Sequence, residues 1–342
     1  MRWMKKLLPI VSLAWLAMSA ASAQKAPFLD WKNLHNPVLQ YPDWSIKDTA
    51  MVYRDGTFYV FFSAFYPRTD DTVCHVVEVT TKDFKTFSDP ILKFDGKEDG
   101  WIGMCSPDVN LMNGQYVMTF NSWGNQPTKP NQLFVMTSPD MVHWSKREKL
   151  AANLTEGKKV IDAALAYADG GYYLIYKQGP KGGTLIPRMA FSKSVVGPYE
   201  FVGDGLPKLL RPDGSTETLT HENYQFIHVD TKWYLLTTDY DQQKEGNIID
   251  KGEELHLYTL DPKSNWLVWG EGRRLDTPQE AFNTDYKDNA GCLVDWRRYD
   301  GYFYLLYAGR TEYNSFAMRG QNRLGLARSK DLIHWSPAGD TK

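Results

Sequence analysis

The sequence has no excess of charge of either sign. Its 342 residues include 39 Lys and Arg against 41 Asp and Glu, which gives a formal net charge of −2. Proteins that bind a phosphate backbone usually carry a basic surface, so this balance argues against nucleic acid as a partner. With 42% hydrophobic and 23% charged residues, the composition is that of an ordinary globular protein.

Long apolar runs are missing beyond the first residues of the chain. Met1–Lys6 is basic, an apolar run extends from Leu7 to about Ala17, and small residues lead to Ala23. This order predicts a secretory signal over 1–23 with cleavage after Ala23. A membrane anchor needs about 20 apolar residues. We therefore expect an exported protein, periplasmic or extracellular, with no membrane insertion and no obligate protein partner.

Cysteine is scarce as well. The three cysteines are Cys74, Cys105 and Cys292, and their spacings of 31 (105 − 74) and 187 (292 − 105) match no zinc-binding pattern. In an oxidising compartment one pair could form a disulfide and leave an odd thiol. We expect all three to be structural or free.

Aromatic residues, in contrast, are abundant. They make up 14% of the chain, with 12 Trp, 20 Tyr and 16 Phe. Aromatic side chains favour pleated, half-buried surfaces, and exposed rings offer flat faces on which sugar rings stack. The composition thus favours an all-β protein that handles a ligand such as a carbohydrate.

A hairpin signal recurs along the whole chain. Asp-Gly or Asn-Gly between alternating apolar runs is a strong hairpin signal, because both turn residues need positive φ. The five turns are Asp55-Gly56, Asn113-Gly114, Asp169-Gly170, Asp230-Thr231 and Asp300-Gly301. Successive turns are 58, 56, 61 and 70 residues apart (56, 114, 170, 231, 301).

A second signature follows several of these hairpins. It consists of a hydroxyl residue, an Asp two positions later and an aromatic residue six positions later. It occurs in Thr81–Phe87, Ser138–Trp144 and Ser329–Trp335, and more loosely in Ser192–Tyr199. We interpret it as a second hairpin whose turn is held by side-chain bonds to the backbone. Two hairpins per repeat predict a single five-bladed β-propeller over 24–342, with four-stranded antiparallel blades; a β-sandwich is the alternative.

Acidic residues precede the predicted hairpin turns at similar offsets. They lie 6 to 9 residues before the turn in the first four repeats, and less regularly in the fifth: Asp48, Asp108, Asp162, Glu222 and Asp288. The innermost strands of a propeller surround its axis, so residues that open these strands should converge on one central pocket. Crowded carboxylates raise one another's pKa, which serves chemistry better than stability.

The segments around these acids resemble the blade openings of glycoside hydrolase family 43. They are Ile46–Val52, Ser106–Val109, Val160–Leu165 and His221–Ile227, and the resemblance extends from about Asn36 to Trp335. It implies a five-bladed propeller glycosidase that inverts the anomeric centre. Asp48 would be the general base, Glu222 the general acid, and Asp162 the residue that orients the acid and tunes its pKa. An inverting pair stands about 6.5–9.5 Å apart.

The sequence also departs from the pattern of that family. Family members usually show Asp-Pro in blades one and three and Glu-Gly-Pro in blade four, where this chain has Asp48-Thr49, Asp162-Ala163 and Glu222-Asn223. Many members also have a His in blade five that helps to hold an axial metal, and Asp288–Cys292 contains none. We therefore expect no required cofactor and name no metal ligand, with a structural calcium ion at the axis left open.

Several other residues are candidates for substrate binding. They are Asp108, Trp123, Lys177, Arg188, His221 and Arg310. A Trp could stack on a sugar, and Arg or Lys could bond its hydroxyls or an acidic group. His221 is an alternative acid, although neighbouring residues of a strand face opposite ways and Glu222 would then point elsewhere.

The predicted function is hydrolysis of terminal α-L-arabinofuranosyl or β-D-xylosyl units in plant-type oligo- or polysaccharides. Two alternatives remain open: a non-catalytic glycan-binding propeller, and a related five-bladed hydrolase that acts on algal galactan oligosaccharides. The openings typical of fructan hydrolases, Trp-Met-Asn-Asp-Pro-Asn and Glu-Cys-Pro, are absent. Acids at three matching positions favour an enzyme over a binding module.

Overall fold

A computed structural model describes most of the chain. The described residues are 28–67, 72–124, 126, 128–179, 185–240, 254–312 and 317–340. The predicted secretory signal lies outside them. Within the described part, no helix is both long and apolar enough to cross a membrane.

In the described residues, twenty-one strands form five separate sheets, and each sheet is built from strands that are consecutive in the chain. Blade 1 consists of β1 (Ser45–Arg54), β2 (Thr57–Pro67), β3 (Thr72–Thr81) and β4 (Leu92–Phe94). Blade 2 consists of β5 (Met104–Met112), β6 (Gln115–Ser122), β7 (Leu133–Ser138) and β8 (Glu148–Lys149). Blade 3 consists of β9 (Lys159–Ala168), β10 (Gly171–Gly179), β11 (Ile186–Ser192) and β12 (Glu200–Phe201).

The last two blades follow the same plan with one addition. Blade 4 consists of β13 (Lys208–Leu209), β14 (Thr220–Val229), β15 (Lys232–Tyr240), β16 (Glu254–Leu260) and β17 (Val268–Arg274). Blade 5 consists of β18 (Tyr286–Asp295), β19 (Phe303–Arg310), β20 (Arg323–Ser329) and β21 (Trp335–Pro337). The short β13 lies parallel to β17, so blade 4 has five strands and not the predicted four. The five-bladed propeller itself is confirmed.

Four of the five predicted hairpins have a two-residue turn, although in blade 4 Asp230 has positive φ and Thr231 does not. In blade 2, for example, Asn113 has φ 47° and Gly114 has φ 80°, the left-handed values that a two-residue turn needs. Blade 5 differs, because a helical turn, α1 (Arg297–Asp300), joins its first two strands. There Gly301, with φ 88°, ends the helix instead of closing a tight turn.

The second signature forms the turn that the sequence predicts. The Ser138 hydroxyl accepts the backbone N–H of Met141 at 2.8 Å, and the Asp140 carboxylate accepts that of His143 at 2.8 Å. Thr81 and Asp83, and Ser329 and Asp331, repeat this arrangement. These side chains satisfy backbone donors that the turn would otherwise leave unpaired.

Apolar side chains fill the five contacts between neighbouring blades. Separate buried clusters join blades 1 and 2, 2 and 3, 3 and 4, 4 and 5, and 5 and 1. The last contact is completed by an N-terminal arm, Phe28–Leu39, in which Leu39 pairs with Leu324 of β20. The core is therefore a ring of interfaces around the axis, and the inner strands β1, β5, β9, β14 and β18 surround that axis.

Candidate active site

Each inner strand contains a β-bulge at the same level. The pairing with the second strand of the blade shifts by one residue there, so two residues on the inner strand face one on its partner. The first residue of each of these five bulges has a φ between 46° and 56°: Asp48, Ser106, Asp162, Asn223 and Ala290. We call these five residues the bulge ring. A second register shift in β18, between Tyr286 and Asn289, lacks this feature. Positive φ is uncommon for residues other than Gly, and Asp and Asn are enriched among those that adopt it.

The bulge ring corrects the predicted equivalence of the acids. Asp48 and Asp162 occupy equivalent positions, in blades 1 and 3. Asp108 lies two residues after its bulge residue, Glu222 one before and Asp288 two before. The distance from the hairpin turn does not identify equivalent positions, because the inner strands differ in the number of residues between bulge and turn.

The bulges surround a small cavity on the axis. Every bulge contributes to its lining, and Asp108 and Gln225 lie there too. Its volume is about 20 Å³, roughly the room that one water molecule needs. Asp48, Asp108 and Asp162 thus line a space much smaller than a sugar, and Glu222 is not among the described residues that line it.

Asp48 of blade 1 is buried and held by two donors. Asn223 Nδ2 donates to its Oδ1 at 3.0 Å, and Lys47 Nζ lies 3.5 Å from the same oxygen. Since Asn223 follows Glu222 directly, this bond joins the first and fourth blades across the axis.

Asp162 of blade 3 is also buried, and it is fixed from blade 2. Its backbone N–H donates to Asn121 Oδ1 at 2.9 Å, and Ser106 Oγ donates to its Oδ1 at 3.0 Å. Its Oδ2 is buried without a hydrogen-bond partner among the described residues. Burial first, and then the negative charge of Glu222, raises the pKa of Asp162 to about 6.

Glu222 of blade 4 has a different environment. Lys177 Nζ lies 3.4 Å from its Oε1, and 23% of the Glu222 side chain is exposed. Burial alone would raise the pKa of Glu222, but the ammonium groups of Lys177 and Lys47 and a bond from Tyr240 hold it below its ordinary value. A general acid should hold its proton, so the charges around Glu222 oppose the role that the resemblance implies.

Of the other two acids of the sequence pattern, Asp108 lines the cavity and Asp288 does not. Asp108 lines the cavity, and Asn110 Nδ2 donates to both of its oxygens at 3.0 Å. Burial raises the pKa of Asp108 to about 7. Asp288 is fully buried and accepts bonds from Leu255 N and Thr277 Oγ1. Asp288 is not part of the cavity lining, and these bonds give it a structural role.

His221 points away from its neighbour Glu222. His221 is paired across the strands with Asp239, whose Oδ1 lies 2.8 Å from His221 Nδ1, whereas Glu222 is paired with Thr238. Asp239 is fully buried and also accepts a bond from Tyr258 OH at 2.5 Å. The structure thus assigns His221 to a buried network within blade 4.

The remaining candidates lie at different radii of the propeller. Trp123 directly follows β6, at the end of blade 2 where the inner strand β5 begins. Its ring packs edge-on against that of Phe65, and the ring centroids are 5.5 Å apart. Arg310 is buried at the same end of blade 5, 3.5 Å above the ring of Tyr286. Arg188 lies on the third strand of blade 3 and stacks on Phe201 at 4.1 Å. Among the described contacts, none joins Arg188 to the cavity.

Sequence reasoning missed four residues that shape the site: Lys47, Ser106, Asn121 and Asn223. Lys47 and Asn223 are direct neighbours of Asp48 and Glu222, so the signal was present. Ser106 and Asn121 are recognised only once the bulges align the blades. Cys105 contacts both of them through Sγ, at 3.6 Å from Ser106 Oγ and 3.2 Å from Asn121 Nδ2. All three cysteines are buried and free.

The residues at the axis do not fit a metal site. Blade 5 contributes Ala290 and Gly291 to the cavity, neither of which has a ligating side chain. Across the described residues, no group of three or more His, Cys, Asp or Glu is placed to hold a metal ion.

Comparison with known proteins finds the same fold in solved structures of glycoside hydrolases. No protein-family model matches the chain, and no curated protein matches its sequence. A thermostable family-43 glycoside hydrolase superposes with a TM-score of 0.59 at 15% identity, over 90% of this chain and 96% of the other. A β-xylosidase/α-arabinofuranosidase of the same family, from a compost microbial metagenome and in complex with xylotriose, gives 0.57 at 14%, over 85% and 92%.

A further similar structure belongs to another family. It is a member of family 130 of mannoside phosphorylases, which contains hydrolases that target β-1,2-mannosidic linkages in Candida mannan. Its TM-score is 0.59 at 17% identity, over 88% of this chain and 89% of the other. At these identities the comparisons show a shared five-bladed propeller fold.

Proposed function

We propose that this protein is an exported glycoside hydrolase that removes terminal α-L-arabinofuranosyl or β-D-xylosyl units with inversion. One observation supports the proposal: acids from three blades lie at or next to the bulges, Asp48 and Asp162 in the lining of the axial cavity and Glu222 directly before the bulge residue Asn223. Asp162 lies within the electrostatic reach of the other two. Buried, mutually repelling carboxyls cost stability, so such a cluster is typical of a catalytic site.

The chemistry requires two complementary carboxyl groups. One protonates the leaving oxygen while the bond to the anomeric carbon breaks, and the other takes a proton from the attacking water. Asp48, which accepts bonds from Asn223 and lies beside Lys47, is the proposed base. The acid is one member of the Asp162–Glu222 pair, and the resemblance implies Glu222. Inversion would require acid and base to stand about 6.5–9.5 Å apart.

The proposed sugar class is supported by the fold and the aromatic composition. The similar structures include a β-xylosidase/α-arabinofuranosidase in complex with xylotriose. A galactan-type hydrolase would differ from this proposal in the sugar that it releases. A glycan-binding propeller would bind a sugar without cleaving it. One experiment separates all three.

The test is a panel of aryl glycosides incubated with the purified mature chain. The panel contains α-L-arabinofuranosides, β-D-xylosides, galactosides and β-mannosides, each with and without inorganic phosphate. We expect phosphate-independent release from an arabinofuranoside or xyloside, and proton NMR of the first product should show the inverted anomer. Release only from galactosides would contradict the proposed sugar class and favour the galactan alternative. Binding of oligosaccharides without release of any product would contradict the proposed enzymatic activity.

A further inference from the structure

Two of the three cysteines contact each other where blades 1 and 2 meet. Cys74 lies near the start of β3, and Cys105 is the second residue of β5. Both belong to one small buried cluster with Phe65, and the Cys74 thiol is hydrogen-bonded to the sulfur of Cys105. Cys74 is 0% exposed and Cys105 is 4% exposed. Residues that are 31 positions apart in the sequence (105 − 74) are therefore neighbours in the fold.

The backbones of the two blades also approach closely at this point. Cys74 pairs with Gly103 in a parallel bridge between the blades. A Cβ atom at position 103 would lie only 3.2 Å from the Cβ of Cys74, so a side chain there would force the backbones apart. Cys105 follows two residues later, on the same side of its strand as position 103. A disulfide requires Cα atoms within about 7 Å of each other, and a close approach of the backbones beside a contact between the sulfur atoms is what such a bond needs.

Cys292, in contrast, has no cysteine neighbour among the described contacts. It lies in the cluster between blades 5 and 1, to which neither of the other cysteines belongs. Its Sγ accepts the N–H of Met51 and the side-chain amide of Gln225, each at 3.3 Å. The odd number of cysteines is therefore explained by one contacting pair and one single thiol.

We propose that Cys74 and Cys105 form a disulfide that joins blade 1 to blade 2 beside the bulge residue Ser106. In the structure both are thiols, so the bond requires an oxidant. One thiolate attacks the disulfide of a thiol–disulfide oxidoreductase or of oxidised glutathione, and the second thiolate then displaces the oxidant from the mixed disulfide. Two S–H bonds break and one S–S bond forms, and the oxidant takes up two electrons and two protons to become two thiols. The export proposed above would bring the chain to such an oxidant, and formation of the bond does not depend on the proposed hydrolysis.

The surroundings of the pair indicate when the bond forms. Burial, and then the neighbouring Cys105 sulfur, raise the pKa of the Cys74 thiol well above its usual range. Because the thiolate is the form that reacts, the pair should react slowly once it is enclosed. We therefore expect the bond to form while the chain folds, before blades 1 and 2 close around it, and to resist reductants afterwards.

The bond would fix the part of blade 2 that holds Asp162. Asn121 Nδ2 donates to Cys105 Sγ at 3.2 Å, and the hydroxyl oxygen of Ser106 lies 3.6 Å from the same sulfur. Asn121 and Ser106 are also the two residues that bond Asp162, through its backbone N–H and its Oδ1. A disulfide sulfur still accepts weak hydrogen bonds. The link should therefore raise stability and leave the contacts of Asp162 in place.

A count of the thiols in the mature chain tests the proposal directly. The chain is produced once by export into an oxidising compartment and once in a reducing cytosol, and each sample is unfolded in excess iodoacetamide without reductant. Mass spectrometry should find one alkylated cysteine, Cys292, in the exported chain and three in the cytosolic chain. Peptide mapping without reduction should identify Cys74 linked to Cys105. Refolding of the reduced chain in a glutathione redox buffer is a second route to the bond. Three alkylated cysteines after both routes, or a bond that includes Cys292, would overturn the proposal.

Stability measurements distinguish a structural bond from an incidental contact. A disulfide that closes a loop of this length should raise the Tm of the oxidised chain by about 5 °C over that of the reduced chain. Cys74→Ala should abolish this difference, whatever its effect on the Tm itself. Cys292→Ser, which keeps an acceptor for the Met51 N–H, is the matched control and should retain the difference. An equal Tm for the oxidised and reduced wild type, or a difference that persists in Cys74→Ala, would show that the pair does not stabilise the contact between blades 1 and 2.

Discussion

Single carboxyl groups in this protein differ in pKa because their immediate neighbours differ. Asp48, Asp162 and Glu222 are all buried or nearly so, yet only Glu222 contacts a buried lysine. Burial and the charges of Glu222 and Asp48 raise the pKa of Asp162, while Lys177 and Lys47 lower it in part. At this scale the balance of burial and neighbouring charges sets the pKa of each carboxyl.

Glu78 shows the same principle away from the site. It is fully buried on β3, and Trp144 Nε1 donates to its Oε2 at 3.1 Å. Burial raises the pKa of Glu78 from 4.5 to about 8. Between about pH 5 and 8 the folded state thus holds a proton that the unfolded state releases, so the free energy of unfolding should fall as pH rises.

Glu78→Gln removes this titration and should flatten the pH dependence. We expect the free energy of unfolding to fall less between pH 5 and 8 in the variant than in the wild type, by on the order of 3 kcal/mol. Urea unfolding at both pH values measures it. Glu148→Gln, at an exposed position, is the control and should behave like the wild type. Equal slopes for wild type and Glu78→Gln would contradict the assignment.

The strands and turns are the features that the sequence predicts best. The dipeptides Asp55-Gly56, Asn113-Gly114 and Asp169-Gly170 indicate tight turns, because the positive φ that such a turn requires depends on these residues alone. The bulges are not visible in this way, since their positive φ values fall on Asp, Ser, Asn and Ala, which occur in any context. The number and order of the blades were therefore predictable, whereas the register that sets the bulge ring, and with it Ser106 and Asn121, was not.

The hairpin turns provide a test of this local argument. At Gly114, with φ 80°, a Cβ would meet no atom within 4 Å, so Gly114→Ala adds backbone strain alone. It should lower the free energy of unfolding by about 1 kcal/mol. Gly270 in β17 also faces open space but lacks a left-handed φ, so Gly270→Ala should be neutral or slightly stabilising. Denaturant midpoints of the two variants check this, and equal effects would contradict it.

The whole molecule is a closed ring, and the N-terminal arm takes part in its closure. Asn36 Oδ1 accepts the N–H of Leu326 at 2.8 Å, and Asn36 Nδ2 donates to Glu280 Oε2 at 2.6 Å. Thr49 Oγ1, in the bulge of blade 1, donates to the carbonyl of Ala290 in blade 5 at 3.1 Å. The geometry of the bulge ring therefore depends on the contact between the first and last blades.

Removal of the Asn36 side chain should weaken that contact. Asn36→Ala leaves the Leu326 N–H without its partner, which should cost about 1–3 kcal/mol of unfolding free energy. Asn33→Ala, whose side chain bonds only the exposed Asp30 within the arm, is the matched control and should cost little. Thermal unfolding of both variants measures the difference. If Asn36→Ala lowers the unfolding free energy no more than Asn33→Ala does, the Asn36 contact does not help to hold the first and last blades together.

The central claim is that acids gathered from separate blades perform hydrolysis at the axis. The most direct measurement is the turnover of Asp48→Asn on the best aryl glycoside, alongside its unfolding midpoint. Asn keeps the size of the side chain but cannot take up the proton of water, so kcat should fall at least about 100-fold while the midpoint stays near that of the wild type. Turnover close to that of the wild type in a folded Asp48→Asn would contradict the account.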